Sequence, residues 1–306
     1  MRLGLSSLLA CVLAFAPVAV RAQAPAPDNS NIVVEGVKDR AKKISNFVKD
    51  LTPSDLSYNQ LSRWEVPVCP AAFGLAPQQS AFVVDRMRSV GKAAGVPLAG
   101  PRCDPNVLVI VTTNKGALLA ALEKRHPDYF PGDWTGGKIR QLEQDPYPVA
   151  AWRFEGLLST DGLRLADSTS VFDPVDPAGL VAATAPTTAP ASRLRPPGRR
   201  DVLTSILIVQ SNALTGLTTT QFADYAAMRA FVGSDPRKVR ASSSDTILKV
   251  LDAPLGTAVP MSLTSFDLSF LKAFYASRME SYAGVQRSDI AWRMNRDLNR
   301  AASGRQ

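Results

Sequence analysis

The chain has 306 residues, 35 Lys and Arg against 27 Asp and Glu, a single histidine and a formal charge of +8. One imidazole excludes a multi-histidine zinc site and leaves a Ser-His-Asp triad no choice but His126. No phosphate-binding glycine loop, dinucleotide fingerprint, nucleophile elbow or nucleic-acid motif is present, so the base excess points to solubility or to anionic partners other than nucleic acid.

Arg2 opens a short basic start, Leu3 to Val20 form an apolar run with Pro17 late in it, and Val20-Arg21-Ala22 offers small groups at the two positions a signal peptidase reads. This predicts a secretory signal over residues 1–22; a single membrane anchor, or a lipoprotein signal at Leu8-Leu9-Ala10-Cys11, are the alternatives. Cleavage after Ala22 removes Cys11, Arg2 and Arg21 and lowers the formal charge by two, to +6. No further membrane span is expected. A periplasmic or secreted chain then keeps two thiols, Cys69 and Cys103, and an even count in an oxidising compartment reads as a disulfide.

Ile32 to Val34 read as a short strand. Val37, Ala41, Ile44, Val48 and Leu51 recur at helical spacing until Pro53, which ends that helix. A strand is expected at Leu61 to Val66, then a helix from Gln78 to Ala94 whose Val83, Met87, Val90 and Ala94 share a face and which Gly95 and Pro97 stop. The continuous β-branched run Val107 to Val111 suits a strand buried on both faces, and Gly116 to Lys124 suits a helix. Residues 127–148, rich in Pro, Gly and aromatics, read as an ordered loop, followed by a strand at Val149 to Leu158. Six prolines among Ala and Thr between Asp173 and Pro197 cannot form a packed element. A buried strand at Val202 to Val209 and helices at about 218–232, 244–251, 265–277 and 284–301 complete the chain.

Strands alternating with helices predict an α/β fold, with α+β as the alternative: a mixed sheet, an N-terminal βαβαβ-like unit and a helical C-terminal part. The expected division is residues 1–22 as signal, 23–172 as the first part of the fold, 173–200 as a Pro/Ala/Thr-rich loop or linker, and 201–306 packed on the first part. Arg195, Arg199 and Arg200 close the proline-rich segment. Arg287, Arg293, Arg296, Arg300 and Arg305 mark the C-terminus with only Asp289 and Asp297 among them. Such runs are solvated surface or, alternatively, a binding patch.

Cys69 and Cys103 flank the second helix, at the entrance and exit of a strand-to-strand crossover, and lack the close spacing of a redox dithiol or zinc knuckle. His126 sits at a polar helix end before Pro127, where a cation favours the helix C-terminus. The most distinctive stretch is Thr218 to Arg229. Thr218 can cap the helix with Gln221 reciprocating, between staple residues Leu217 and Phe222; Thr264 and Asp267, between Leu263 and Leu268, repeat the signal. Gln221, Asp224, Tyr225 and Met228 share one stripe, which is a buried network or interface, or else a ligand site. No cofactor and no metal is expected. Gln221, Asp224, Tyr225 and Asp267 are the only candidates for catalysis.

The segments Arg63-Trp64-Glu65-Val66-Pro67-Val68-Cys69-Pro70, Cys103-Asp104-Pro105-Asn106, Gln221 to Arg229 and Leu263 to Tyr275 resemble a family of uncharacterised exported alphaproteobacterial proteins. The resemblance covers most of the mature chain and implies a bacterial envelope protein without bringing an activity. More distantly, the strand, the capped helix and the late Phe-Asp…Leu-Lys-Ala-Phe-Tyr helix are similar to a bacterial family of unknown function with a zincin-like peptidase architecture. In such folds the central helix carries His-Glu-x-x-His; here the i and i+4 positions are Gln221 and Tyr225, so those ligands are absent. The expectation is an exported, non-catalytic envelope protein acting in binding or structure, with an envelope protein or an anionic envelope polymer as partner. The alternative is a hydrolase on a degenerate peptidase-like fold, working through carboxylates without zinc histidines. A closed core around the four candidates favours the first, an open cleft the second.

Overall fold

The structure, a computed structural model, describes residues 37–53, 60–132, 134, 136–158, 198–234, 239, 246–254 and 256–303. The expected signal, Cys11, the strand at Ile32 to Val34 and the 173–197 stretch lie outside these residues. The elements are α1 (Val37–Leu51), β1 (Pro70–Phe73), α2 (Pro77–Ala94), β2 (Val107–Thr112), α3 (Lys115–Arg125), α4 (Gly136–Gln144), β3 (Val149–Leu158), β4 (Arg199–Gln210), α5 (Thr219–Val232), α6 (Ser265–Ala276) and α7 (Ala283–Ser303).

Among the described residues the strands form one mixed sheet in the order β1-β2-β4-β3, so the fold is α/β. β1, β2 and β4 are parallel, with Pro70 opposite Val107 and Val107 opposite Ser205. A parallel pair needs a long crossover, which α2 supplies between β1 and β2. β3 lies antiparallel to β4, with Val149 opposite Val209 and a bulge at Phe154/Glu155. The late strand β4 is thus inserted between β2 and β3, and the residues before and after the proline-rich stretch share one sheet.

The period-2 alternation of the strands feeds two cores. Val107, Val109, Val111, Leu207 and Val209 face the larger one with α1, α2, α5, α6 and α7; Ile206, Ile208, Ala150 and Trp152 face the smaller one with Leu119 and Ile139 of α3 and α4. β2 is accordingly covered on both faces, fully on the first and partly on the second, where Leu108 and Ile110 stay half-buried. Phe130, Trp134 and Trp152 pack together in the smaller core. Ile44, Phe47, Val48 and Leu51 form the buried stripe of α1; Ala41, expected in it, is exposed. α2 starts with Pro77 and ends at Gly95 in the left-handed region, φ 82°, where a side chain is disfavoured. Its Val83, Met87, Val90 and Ala94 are buried.

Several elements differ from the sequence expectation. Leu61 to Val66 is not a strand: only Arg63 makes an isolated bridge, to Asp201, and β1 begins later, at Pro70. Leu61 and Trp64 are apolar because they pack in the core, where Trp64 Nε1 donates to Ala230 O at 3.0 Å, and the strand tolerates Pro70 at its first position. Among the described residues the N-terminal unit holds one βαβ crossover, β1-α2-β2; of the other strands expected in the βαβαβ-like unit, Ile32 to Val34 lies outside these residues and Leu61 to Val66 gives way to β1. Residues 127–148 are not loop throughout: Gly136–Gln144 is helical because Ile139 and Leu142 find the face of Trp152, overriding the Gly136-Gly137 breaker signal. Of the expected 244–251 helix the described part is a short 3-10 turn, Ile247–Lys249, capped by Thr246. β4 begins at Arg199, so Arg199 and Arg200 are strand residues, Arg200 buried and Arg199 half-buried, and not solvated surface.

Cys69, just before β1, and Cys103, before β2, form a disulfide with Cα atoms 5.9 Å apart. Asn106 reinforces the junction: its Oδ1 accepts from Cys69 N at 2.7 Å and its Nδ2 donates to Pro67 O at 3.0 Å.

Candidate functional site

α5 is apolar nearly all round, which predicts burial on every side, and each residue from Gln221 to Val232 is buried. Its polar residues therefore have to find partners inside the protein. Thr218 and Gln221 form a capping box: Gln221 N donates to Thr218 Oγ1 at 3.1 Å, and Thr218 N donates to Gln221 Oε1 at 2.9 Å. The remaining Gln221 amide donates to Pro260 O at 2.9 Å. Asp224, fully buried, takes a two-pronged ion pair from Arg86 of α2, 2.7 and 2.9 Å, and accepts from Leu263 N at 2.7 Å.

Asp267 repeats the box with Thr264 at the start of α6 and also accepts from Thr246 Oγ1 at 2.5 Å and Ile247 N at 2.9 Å. Burial pushes its carboxyl above the usual range, and these donors pull it part of the way back. Tyr225 is fully buried beside Tyr147 and Arg229, and burial raises its pKa while Arg229 and Tyr147 lower it part of the way. Among the described residues none of the four lines the three surface depressions given below. Gln221, Asp224 and Asp267 fasten the chain between α5 and α6 onto both helices, although Pro260 and Thr264 also line a surface cleft.

Thr218→Ala and Thr264→Ala should each lower stability by about 0.5–2 kcal/mol, because each removes a cap and strands backbone amides. Thermal unfolding beside wild type measures this, and unchanged melting of both would remove the capping role.

A polar cluster that the sequence reading missed lies where the 62–65 segment meets β3 and β4. Ser62 Oγ donates to Glu155 Oε1 at 2.5 Å, Arg153 donates to the same oxygen at 2.9 Å and to Val232 O, and Arg63 donates to Phe274, Tyr275 and Ser277 carbonyls at the end of α6. Arg199 pairs with buried Asp201 at 3.0 Å. The legible signal was charge at period 2 inside apolar strands, Arg153-Phe154-Glu155 and Arg199-Arg200-Asp201. With its guanidiniums bound to carboxylates and carbonyls, the cluster ties α5 and α6 to the sheet.

Burial pushes the Asp201 carboxyl up to about 6, against the pull of Arg199. Between the unfolded value of 3.8 and about 6 the folded state keeps a proton the unfolded chain has lost, so stability falls as pH rises through that window and is flat above it. Relative to wild type, Asp201→Asn should gain about 2–3 kcal/mol from pH 4 to pH 7. Urea unfolding at each pH tests it; a difference independent of pH would remove the claim.

Parallel sheets place ligands outside the carboxyl ends of their strands. There, after β2, the buried Lys115 ammonium is spent on Asp145 O at 2.7 Å and Tyr147 O at 2.8 Å. Three surface depressions of the described residues carry basic side chains. One, of about 420 Å³, lies between α1 and the start of α7 with Lys49, Arg287, Ser45 and Ser288. A second, of about 480 Å³, lies beside the start of α6 with Lys43 and Phe266. The third, of about 120 Å³, lies between α6 and α7 with Lys272, Arg293, Arg296, Arg300 and Asp297.

His126 is the C-terminal cap of α3, exposed and edge-on to Tyr129 at 5.5 Å. Among the described residues there is no group of His, Cys, Asp and Glu able to hold a metal ion, and no helix is long and apolar enough to cross a membrane. No protein-family model, curated protein or solved structure matches this chain.

Proposed function

We propose that the chain is an exported, non-catalytic protein of the bacterial cell envelope that binds an anionic envelope polymer. The observation that carries this reading is the lining of the three surface depressions: seven cations, Lys43, Lys49, Lys272, Arg287, Arg293, Arg296 and Arg300, against one carboxylate, Asp297, among the described residues. Concave surfaces lined by one sign of charge raise the local concentration of the opposite sign. Export is supported by the signal pattern at residues 1–22, by the resemblance to exported alphaproteobacterial proteins and by the Cys69–Cys103 disulfide, which suits an oxidising compartment. The non-catalytic reading is supported by the partners of Gln221, Asp224 and Asp267, which use these side chains to start helices and fasten the chain. No observation favours the carboxylate-hydrolase alternative.

Two measurements test the proposal. Intact mass after export should give a mature chain starting near Gln23, and retention of residues 1–22 would overturn the address. Co-sedimentation with an acidic polysaccharide at low salt should retain the protein, whereas a neutral polysaccharide should not; equal behaviour with both would overturn the anionic partner.

A further inference from the structure

α6 packs on α7, with Ser269 Oγ donating to Met294 O at 3.4 Å, and a surface trench lined by both helices runs beside the contact. α6 lines it with Ser269, Lys272, Ala273 and Ala276, and α7 with Arg293, Arg296, Asp297 and Arg300. Asp297 is the one carboxylate among the described lining residues. Arg293 is held by Asp289, with both oxygens at 3.0 Å. Lys272, Arg296 and Arg300 are exposed, and none of the three enters an ion pair among the described residues. Arg296 instead lies over Trp292, 4.5 Å from the ring centroid, and Trp292 is itself 56% exposed. Like charges at i and i+4, here Arg296 and Arg300, cost a helix a few tenths of a kcal/mol, a cost that an external anion removes.

We infer that this trench is the seat of an extended acidic polysaccharide, an inference that rests on the binding reading above and names its site. Its volume of about 120 Å³ is well under the roughly 300–1,000 Å³ of sites that enclose a small molecule, so an occupant lies along it and is not engulfed. Arg296 and Arg300 stand about 6 Å apart along α7, so they meet successive acidic groups of a chain and do not converge on one. Guanidiniums suit this because their planar donor forks match carboxylate, sulfate or phosphate oxygens. Trp292, outside the lining, holds the Arg296 guanidinium over its ring. A membrane surface fits less well: an interfacial helix needs a continuous apolar face, and Val285 and Trp292, seven positions apart, are the large exposed apolar side chains of α7.

The test compares the full chain with two variants of equal charge change. Lys272→Glu/Arg296→Glu/Arg300→Glu reverses exposed cations of the trench, and Lys92→Glu/Lys124→Glu/Arg140→Glu reverses exposed cations of α2, α3 and α4 that line none of the three depressions. Calorimetric titration uses polygalacturonate as probe, with neutral dextran and phosphatidylglycerol vesicles beside it, and circular dichroism confirms folding of each variant. The trench variant should lose affinity for polygalacturonate by about tenfold or more while the control variant stays within about twofold of wild type. Wild-type affinity retained in the trench variant would overturn the trench and leave the binding reading standing, and so would an equal loss in both variants. Absence of polygalacturonate binding by wild type would overturn both readings, and binding confined to the vesicles would replace the polymer with a lipid surface.

Discussion

Asp267→Ala lowers the unfolding free energy by about 3–5 kcal/mol. The carboxylate is fully buried and accepts from Thr246 Oγ1, Ile247 N, Thr264 N and Thr264 Oγ1. Truncation leaves two backbone amides and two hydroxyls in the interior without their acceptor, and a buried donor left unmade costs more than the net worth of the bond. Asp267→Asn keeps one acceptor oxygen and so should lose about half as much. Thr246→Ala combined with Asp267→Ala should lose less than the separate losses added together, because the two share a contact. Urea denaturation at neutral pH reads all three. A loss under about 1 kcal/mol for Asp267→Ala would mean that the start of α6 and the turn at Ile247 are held by something else.

Replacing Cys69 and Cys103 together by serine lowers stability by about 3.5–4 kcal/mol, through the unfolded state more than the folded one. The bridge joins residues 34 apart, and releasing a loop of that size returns chain entropy to the unfolded ensemble. The folded junction keeps the bonds from Asn106 to Cys69 N and Pro67 O, so the pairing of β1 with β2 should survive. The denaturant m-value should rise, because an uncrosslinked unfolded chain exposes more surface. Thiol labelling of the oxidised mature chain should find no reactive cysteine. Two labels on unreduced protein would remove the crosslink, and an unchanged m-value would move its effect into the folded state.

The helices were the legible part of this fold because their evidence is local. α2 declares itself by a buried stripe and a glycine stop, and α5 and α6 by a capping threonine with its reciprocal side chain three residues on. These are interactions within one or two turns, so the sequence holds both partners. α4 was hidden because Gly136 and Gly137 argue against a helix and only its contact with the aromatic cluster around Trp152 outweighs them. The run at Leu61 to Val66 misled for the opposite reason: its apolar residues are there to pack on α5, and nothing in a short apolar run distinguishes packing from strand pairing.

The candidate site divides the same way. By itself the sequence determined that Gln221 and Asp267 stand at reciprocal capping positions, that Cys69 and Cys103 are the pair left for a bridge once Cys11 is removed, and that no histidine set can hold zinc. Only the tertiary structure decided that Asp224 meets Arg86, that Asp267 reaches back to Thr246, that β4 slots between β2 and β3, and that Lys272 joins Arg293, Arg296 and Arg300 along one trench. The physical reason is distance along the chain. Partners three or four residues apart are fixed by helix geometry, whereas partners 138 residues apart, as Arg86 and Asp224 are, meet only after the packing of two helices has brought them together.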